Sequence, residues 1–441
     1  MIKLEIKVNE ELTYTFLEEE NLIEGFSLKR QMDDDLTALN GAVECAEINC
    51  TLNNLYNDFN ITSSSTSPYS QLKNGLEVKV YSVSDTTNNL FTGYLVDFAA
   101  PTDTDTQSCN IRAVDRLHIL LNKETKTNFS LQIERKINLF DYITRLFASY
   151  GVTADELKID ASLSNIILDY TLLNGKKLSE QLNEICKAVD CYIFVSKTGI
   201  ITIKSKKITG TPVKTFTRQD NSLISSEYGT SLFSSYNSLK VGYVSTKLSE
   251  VKEVLNVGSL VVSAGLTDLA TYELSVDNLY ELDNIKITSN LNTHITQLSA
   301  TSSTITLQLN NPSQEEDTID ITVYGKTIER TDAFITKSVD TEQTEQGLEV
   351  TSILVQNKAY AEDLMDSLYN RVVEPIPYIK AEVEVVNFGV DLGYIVQIVD
   401  NEAEIDYVGY VHSIDIEYDG GGYSYYNLGI KALYKESGEN E

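Results

Sequence analysis

The sequence predicts a predominantly β protein of the α+β class. It contains two similar antiparallel β-barrel-like domains, a small helix–helix–hairpin module and a β-rich insertion. Three observations lead there. A β motif punctuated by glycine occurs twice, once near each end of the chain. Apolar residues alternate with polar ones through much of the remainder, the period of a half-buried strand. Between the two motifs, the apolar period lengthens to that of a helix in a few well-delimited stretches.

The first copy of the motif runs from Asn74 to Asp115. A turn at Asn74-Gly75 launches a strand with Val78 and Val80 on one face, and the polar Asp85-Thr86-Thr87-Asn88-Asn89 reads as the next turn. The chain returns through Phe91, Gly93 and Tyr94, turns again, and runs back through Cys109 to Val114. The second copy runs from Leu392 to Ile430. Gly75-x-x-Val78-x-Val80 matches Gly393-x-x-Val396-x-Ile398, and Phe91-x-Gly93-Tyr94 matches Tyr407-x-Gly409-Tyr410. Glycine in these places suits turns and barrel bends.

Taken in order, residues 1–122 form the first β-barrel domain, with alternating runs at Ile2–Val8 and Val43–Leu52 and a loop at Ser63–Ser70. In the second run Val43, Cys45 and Ala46 are expected to pack inward. Residues 123–210 form the small α/β module. Asn138 caps a helix carrying Leu139, Phe140, Ile143, Leu146, Phe147 and Tyr150, and Gly151 follows it. A second helix carries Leu178, Leu182, Ile185 and Val189. A hairpin follows, Cys191–Ser196 and Ile200–Lys204 about the turn Lys197-Thr198-Gly199. Residues 211–245 and 346–434 form the second barrel domain, with a helix from Asn357 to Val372 stopped by Pro375 and Pro377. Residues 246–345 form the insertion, with strands at Leu255–Val262, Asn284–Thr288, Thr304–Leu309 and Asp320–Tyr324. Residues 435–441 read as a disordered tail.

A chain of 441 residues exceeds one core. Its net charge of −30 argues against a nucleic-acid groove or an anionic membrane as partner, since both demand basic surface. The five cysteines, Cys45, Cys50, Cys109, Cys186 and Cys191, show no C-x-x-C spacing and read as reduced, buried thiols. The N-terminus alternates as a strand does, which leads to the expectation of a cytosolic product without an N-terminal export signal. No stretch approaches the roughly 18 apolar residues of a membrane span.

No catalytic, cofactor or metal site is expected. His118, His294 and His412 are far apart in sequence, and no G-x-S-x-G, H-E-x-x-H or phosphate-loop pattern occurs. Asp103 and Asp105 lack the glycine and terminal glutamate of a calcium loop and read as a solvated turn. Asp419-Gly420-Gly421-Gly422 has no lysine and reads as a hairpin turn. Lys204-Ser205-Lys206-Lys207 is short and isolated. There is no tryptophan, which weakens a sugar-binding reading, and the 26 tyrosines suit protein interfaces. Tyr423, Tyr425 and Tyr426 in one hairpin mark such a surface or a barrel core.

Three stretches together resemble the baseplate hub and tail-tip hub family of tailed bacteriophages, and the N-terminal region of type VI secretion spikes. They are Gly75–Val80 through Phe91-Thr92-Gly93-Tyr94 to Asp115-Arg116-Leu117; the helix ending in Tyr150-Gly151-Val152 with the later Lys197–Ile203; and the helix of Tyr360, Ala361 and Arg371 with Leu392–Val396, Val408-Gly409-Tyr410 and Asp419–Gly422. The resemblance implies a non-enzymatic structural protein of a virion tail or tail-like particle, assembled in the host bacterial cytoplasm. Three copies would form a homotrimer with a pseudo-sixfold face. Its implied partners are the tail tube, a spike, tip or fibre protein, and the tape-measure protein. DNA would pass the lumen without specific binding. The alternatives are the hub-like part of a tail-associated cell-wall hydrolase and a β-rich adhesin. Asp391 and Tyr394 depart from the Gly-Asp pair frequent in related hubs, and the insertion has no counterpart there.

Overall fold

The computed structural model describes residues 2–17, 23–32, 43–54, 71–82, 85–99, 108–121, 133–171, 177–206, 208–230, 236–267, 269–276, 278–338, 347–373, 377–384, 389–418 and 424–435. The stretches read as the loop 63–70, the Asp103/Asp105 turn, the Asp419–Gly422 turn and the tail beyond Lys435 lie outside the described residues. So does Tyr423.

The chain is predominantly β and of the α+β class. It opens with strands β1 (Ile2–Lys7), β2 (Thr13–Leu17), β3 (Ile23–Gln31), β4 (Glu47–Asn53), β5 (Glu77–Ser82), β6 (Asp85–Ala99) and β7 (Ser108–Val114). Alternation decides their faces: Ile2, Leu4 and Ile6 of β1 and Val78 and Val80 of β5 are fully buried, while their odd neighbours are not. Two expectations shift. Strand β4 begins at Glu47, and Val43 and Cys45 lean instead against the helical core that follows. Strand β6 begins at Asp85, because pairing with β5 through Ser82 extends the ladder into the polar run.

A short helix α1 (Arg116–Leu121) leads to β8 (Arg135–Asn138), α2 (Leu139–Ser149), β9 (Leu157–Ile159), β10 (Ile167–Tyr170), α3 (Leu178–Val189), β11 (Cys191–Val195) and β12 (Ile201–Ser205). The Asn138 side chain accepts from the Asp141 amide at 2.7 Å, and Gly151 takes φ +80° just past the helix end, so both helix punctuation marks act as their residue types dictate.

Next come β13 (Lys214–Thr217), β14 (Leu223–Thr230) and β15 (Ser238–Leu248). The insertion holds β16 (Lys252–Val262), β17 (Gly265–Leu266), β18 (Ala270–Glu273), β19 (Leu279–Thr288), β20 (His294–Ala300), β21 (Thr304–Asn311) and β22 (Asp317–Ser338). The chain ends with β23 (Gly347–Thr351), α4 (Lys358–Val373), β24 (Pro377–Val383), β25 (Ile395–Asp400), β26 (Ile405–Tyr418) and β27 (Ser424–Lys435). Strand β22 is far longer than the Asp320–Tyr324 expected, because it has two sets of partners in succession. Its first half pairs with β16 and β19, its second with β15.

Among the described residues, thirteen strands make one sheet in the order β14-β24-β27-β26-β3-β4-β7-β6-β5-β1-β2, with β25 on β26 and β13 on β25. A single apolar core backs it, drawn from both ends of the chain, from Ile2 to Ile430. A second core joins α1, α2, α3 and α4 with β11 and β12, and it also takes Leu239 and Val241 of β15 and Leu348 and Val350 of β23. Leu239, Val241 and Tyr243 of β15 and much of 348–369 therefore pack with the helical module, whereas the sequence grouped 211–245 and 346–434 with the second barrel. Their apolar faces meet helices, and only β13, β14 and β24–β27 join the large sheet. A third core, with Val254, Ile305, Leu307, Ile319 and Val323, lies within the insertion. Strand β11 is buried along its whole length. Tyr192 and Phe194 face the sheet's core, while Cys191, Ile193 and Val195 face the helical one.

Candidate functional site: the junction of the two β units

The large sheet contains the same six-strand run twice: β3-β4-β7-β6-β5-β1 and β14-β24-β27-β26-β25-β13. The sequence duplication is reproduced bond by bond. Gly75 takes φ +91° and donates its amide to Leu95 at 2.7 Å; Gly393 takes φ +73° and donates to Val411 at 2.8 Å. Leu95 returns a bond to Leu76 at 2.9 Å, and Val411 to Tyr394 at 2.9 Å. Val78 pairs with Gly93 and Val80 with Phe91; Val396 pairs with Gly409 and Ile398 with Tyr407. A bulge follows each glycine, between Leu95 and Asp97 and between Val411 and Ser413. Bulges between Ile23 and Gly25 and between Leu223 and Ser225 also correspond. The runs differ at their ends, where β1 lies antiparallel to β5 but β13 lies parallel to β25, and in the bulges of β5–β6 after Val80, which β25–β26 lacks.

The two runs are joined inside the chain. Ser413–Tyr418 of β26 pairs with Phe26–Gln31 of β3. The hairpin β11–β12 sits over this seam. Arg30, 1% exposed, places Nη2 2.6 Å from Asp391 Oδ1 and donates to the Val195 carbonyl at 3.1 Å. Asp391 accepts further from the amides of Lys197 at 3.0 Å and Leu392 at 2.8 Å. Thr92 donates to the Lys197 carbonyl at 3.1 Å, Lys204 bonds the Gly393 carbonyl, and the Tyr192 and Tyr410 hydroxyls are 2.8 Å apart. One ion pair thus ties the first run, the second run and the module together. The charges sit out of water, where a carboxylate needs such partners. Asp391, singled out in the sequence as a departure, finds its role here. Arg30 carried no sequence signal, because its partners lie 165 and 361 residues away.

Asp115 ends β7 and caps α1, accepting from the Ala46 amide at 2.6 Å and the His118 amide at 2.9 Å. Burial pushes its carboxyl up to about 6, against those two amides and the Arg30 charge, which pull it down. The folded chain therefore holds this proton at pH values where the unfolded chain, near 3.8, has released it. The stabilisation is complete below pH 3.8 and is lost as pH rises through about 6. Urea unfolding of wild type and Asp115→Asn across pH 4–7 is expected to show the difference between them changing by roughly 2–3 kcal/mol. A difference independent of pH would remove Asp115 as the titrating group.

The other residues singled out in the sequence do not converge. His118 lies on α1, His294 begins β20 and His412 is buried at the β26 bulge, beside Tyr192. All five cysteines are free, and Cys50, Cys109, Cys186 and Cys191 are buried; burial pushes the Cys109 thiol up to about 12. Lys204 and Lys206 are used internally, the second with its Nζ 4.7 Å from the centre of the Tyr192 ring. Tyr426 is buried in the sheet's core. Among the described residues no three metal-binding side chains cluster, and no helix is long and apolar enough to cross a membrane. The arrangement suits assembly, with ladders and a buried clamp holding repeated β units in fixed relation.

No protein-family model matches the chain, and no curated protein matches it in sequence. Solved structures do. The tail protein from Neisseria meningitidis MC58 superposes with a TM-score of 0.56 at 10% identity, covering 98% of this chain and 97% of that one. The prophage MuSo2 43 kDa tail protein from Shewanella oneidensis superposes with a TM-score of 0.54 at 10% identity, again over 98% and 97%. From end to end, the chain has the fold of these tail proteins.

Proposed function

We propose that the chain is a structural hub at the baseplate or tip of a phage or phage-like tail, and that it acts without catalysis. The observation that carries this reading is the duplication of one β unit within one sheet. A protein that must present six similar surfaces from three copies needs two such units per chain. Three copies would form a ring whose six units receive the sixfold tail tube. The insertion, with its own sheets and core, is free to serve a spike, tip or fibre protein. The fold shared with tail proteins over nearly the whole chain supports the same assignment.

The mechanism is architectural. Affinity comes from large interfaces, and symmetry matching comes from duplication. Three copies at −30 each carry about −90, and an acidic lumen would repel DNA in transit. Light scattering of the purified chain, and its copy number in particles, test the reading. A mass of three chains is expected. A chain that stays monomeric at every concentration and never enters particles, or one that forms hexamers, would overturn it.

A further inference from the structure

The insertion is a sandwich of two sheets about one core, and one of its margins is open. In one sheet β22 has β16 on one side and β19 on the other. In the second, β21 has β17 and β18 on one side and β20 on the other. The short connection 289–293 joins β19 to β20, so these two edge strands share a margin. Among the described residues each of them pairs on one side only.

Burial drops at this margin in both sheets. Ile321 and Val323 of β22 are fully buried, but Ile287 and Ile285, opposite them on β19, are half-buried. Leu307 of β21 is fully buried, but Leu298, opposite it on β20, is 44% exposed. The two strands are tied at both ends. The Leu279 amide donates to the Ser302 carbonyl at 2.9 Å. At the other end the buried Asp317 accepts from Ser289 Oγ at 2.5 Å and Thr293 Oγ1 at 2.6 Å. Between these ties lies a preformed slot, floored by the core and flanked by two sheet edges.

The edge of β20 is unguarded. Its sequence, His-Ile-Thr-Gln-Leu-Ser-Ala, has no lysine, carboxylate or proline, and its one irregularity is the bulge between Ile295 and Gln297. The surroundings are acidic. Residues 249–327 hold eleven carboxylates and three lysines. Lys326 is spent on Glu281 at 3.3 Å and Lys286 lies over the Tyr324 ring at 5.1 Å, while Asp283 on β19 is exposed.

We infer that this slot takes an extended segment of another protein, in which apolar residues alternate with basic ones. A strand satisfies the main-chain groups along β20, lays its apolar side chains between Leu298 and the half-buried Ile285 and Ile287, and turns its basic side chains toward Asp283 and its acidic surroundings. The slot is distant in the topology from the duplicated β unit that carries the hub reading. Mass in solution tests that reading, and peptide binding tests this one.

The probe is a synthetic peptide of about nine residues, valine alternating with lysine and threonine, titrated into the full chain by fluorescence anisotropy. Saturable binding is expected, and hydrogen exchange should slow in 294–300 but not in 252–262. Leu298→Lys, at an exposed position, is expected to weaken binding about tenfold or more by setting like charge in the slot. Val261→Lys adds the same charge at the opposite margin, where Val261 is also exposed, and should leave binding nearly unchanged. No saturable binding overturns the proposal, as does protection on β16 instead of β20. Equal binding of the peptide with glutamate for lysine overturns the charge of the partner. Equal binding of a peptide of the same composition with its valines in one block overturns strand pairing. If Leu298→Lys instead lowers the mass of the chain in solution, a second copy occupies the slot and the proposed partner is wrong.

Discussion

Arg30→Ala is expected to destabilise the protein by about 3–5 kcal/mol, the usual cost of leaving one member of a buried ion pair without its partner. The guanidinium is 1% exposed and 2.6 Å from Asp391, so removing it strands a carboxylate among the ends of three structural units. The amides of Lys197 and Leu392 still hold that carboxylate, but they do not neutralise it. Asp391→Asn added to Arg30→Ala removes the stranded charge and keeps an acceptor, so the double variant is expected to be more stable than Arg30→Ala alone. A coupling of about 0.5–3 kcal/mol would be typical of groups in contact. Chemical denaturation of the four proteins measures it. If the two substitutions were simply additive, the pair would not be the clamp described here. Because the clamp sits on the β26–β3 seam, its loss should loosen the relation between the two β units before it unfolds either.

Gly93→Ala and Gly409→Ala should each destabilise by about 1–3 kcal/mol or more, as overpacking does where backbone must move. A methyl group at position 93 would stand 2.4 Å from the Val114 carbonyl oxygen and 2.4 Å from the Phe91 ring. At position 409 it would stand 2.5 Å from the Lys431 carbonyl oxygen and 2.6 Å from an Ile430 methyl. In both cases the nearest obstacle includes a main-chain carbonyl of the next strand, which cannot rotate away as a side chain can. Alanine at Gly75 is limited by its φ of +91° and not by space, since nothing lies within 4 Å there. Thermal denaturation of the three variants checks this. The two bend glycines should fall together, reporting equivalent positions. A tolerated alanine at one bend and not the other would mean that the duplicated motif has diverged in its packing.

The sequence by itself determined the fold class, the repeated motif and most elements with a strong local period. The glycine spacing at 75, 93, 393 and 409 revealed the duplication, because a turn and a close strand approach admit little but glycine. The Asn138 cap and the Lys197-Thr198-Gly199 hairpin were legible for the same reason: their chemistry is local. The tertiary structure alone decided which strands are neighbours. Pairing β26 with β3, splitting β22 between two sheets, and giving β15, β23 and α4 to the helical core depend on contacts across hundreds of residues, and alternation says only which face is apolar. It also decided the use of Arg30 and Asp391, since a buried charge is recognisable only once its surroundings are known. Period and turn chemistry act over a few residues and are written in the sequence. Sheet order and the meeting of two distant charges depend on which apolar faces cover one another, and that is settled only when the whole chain is packed.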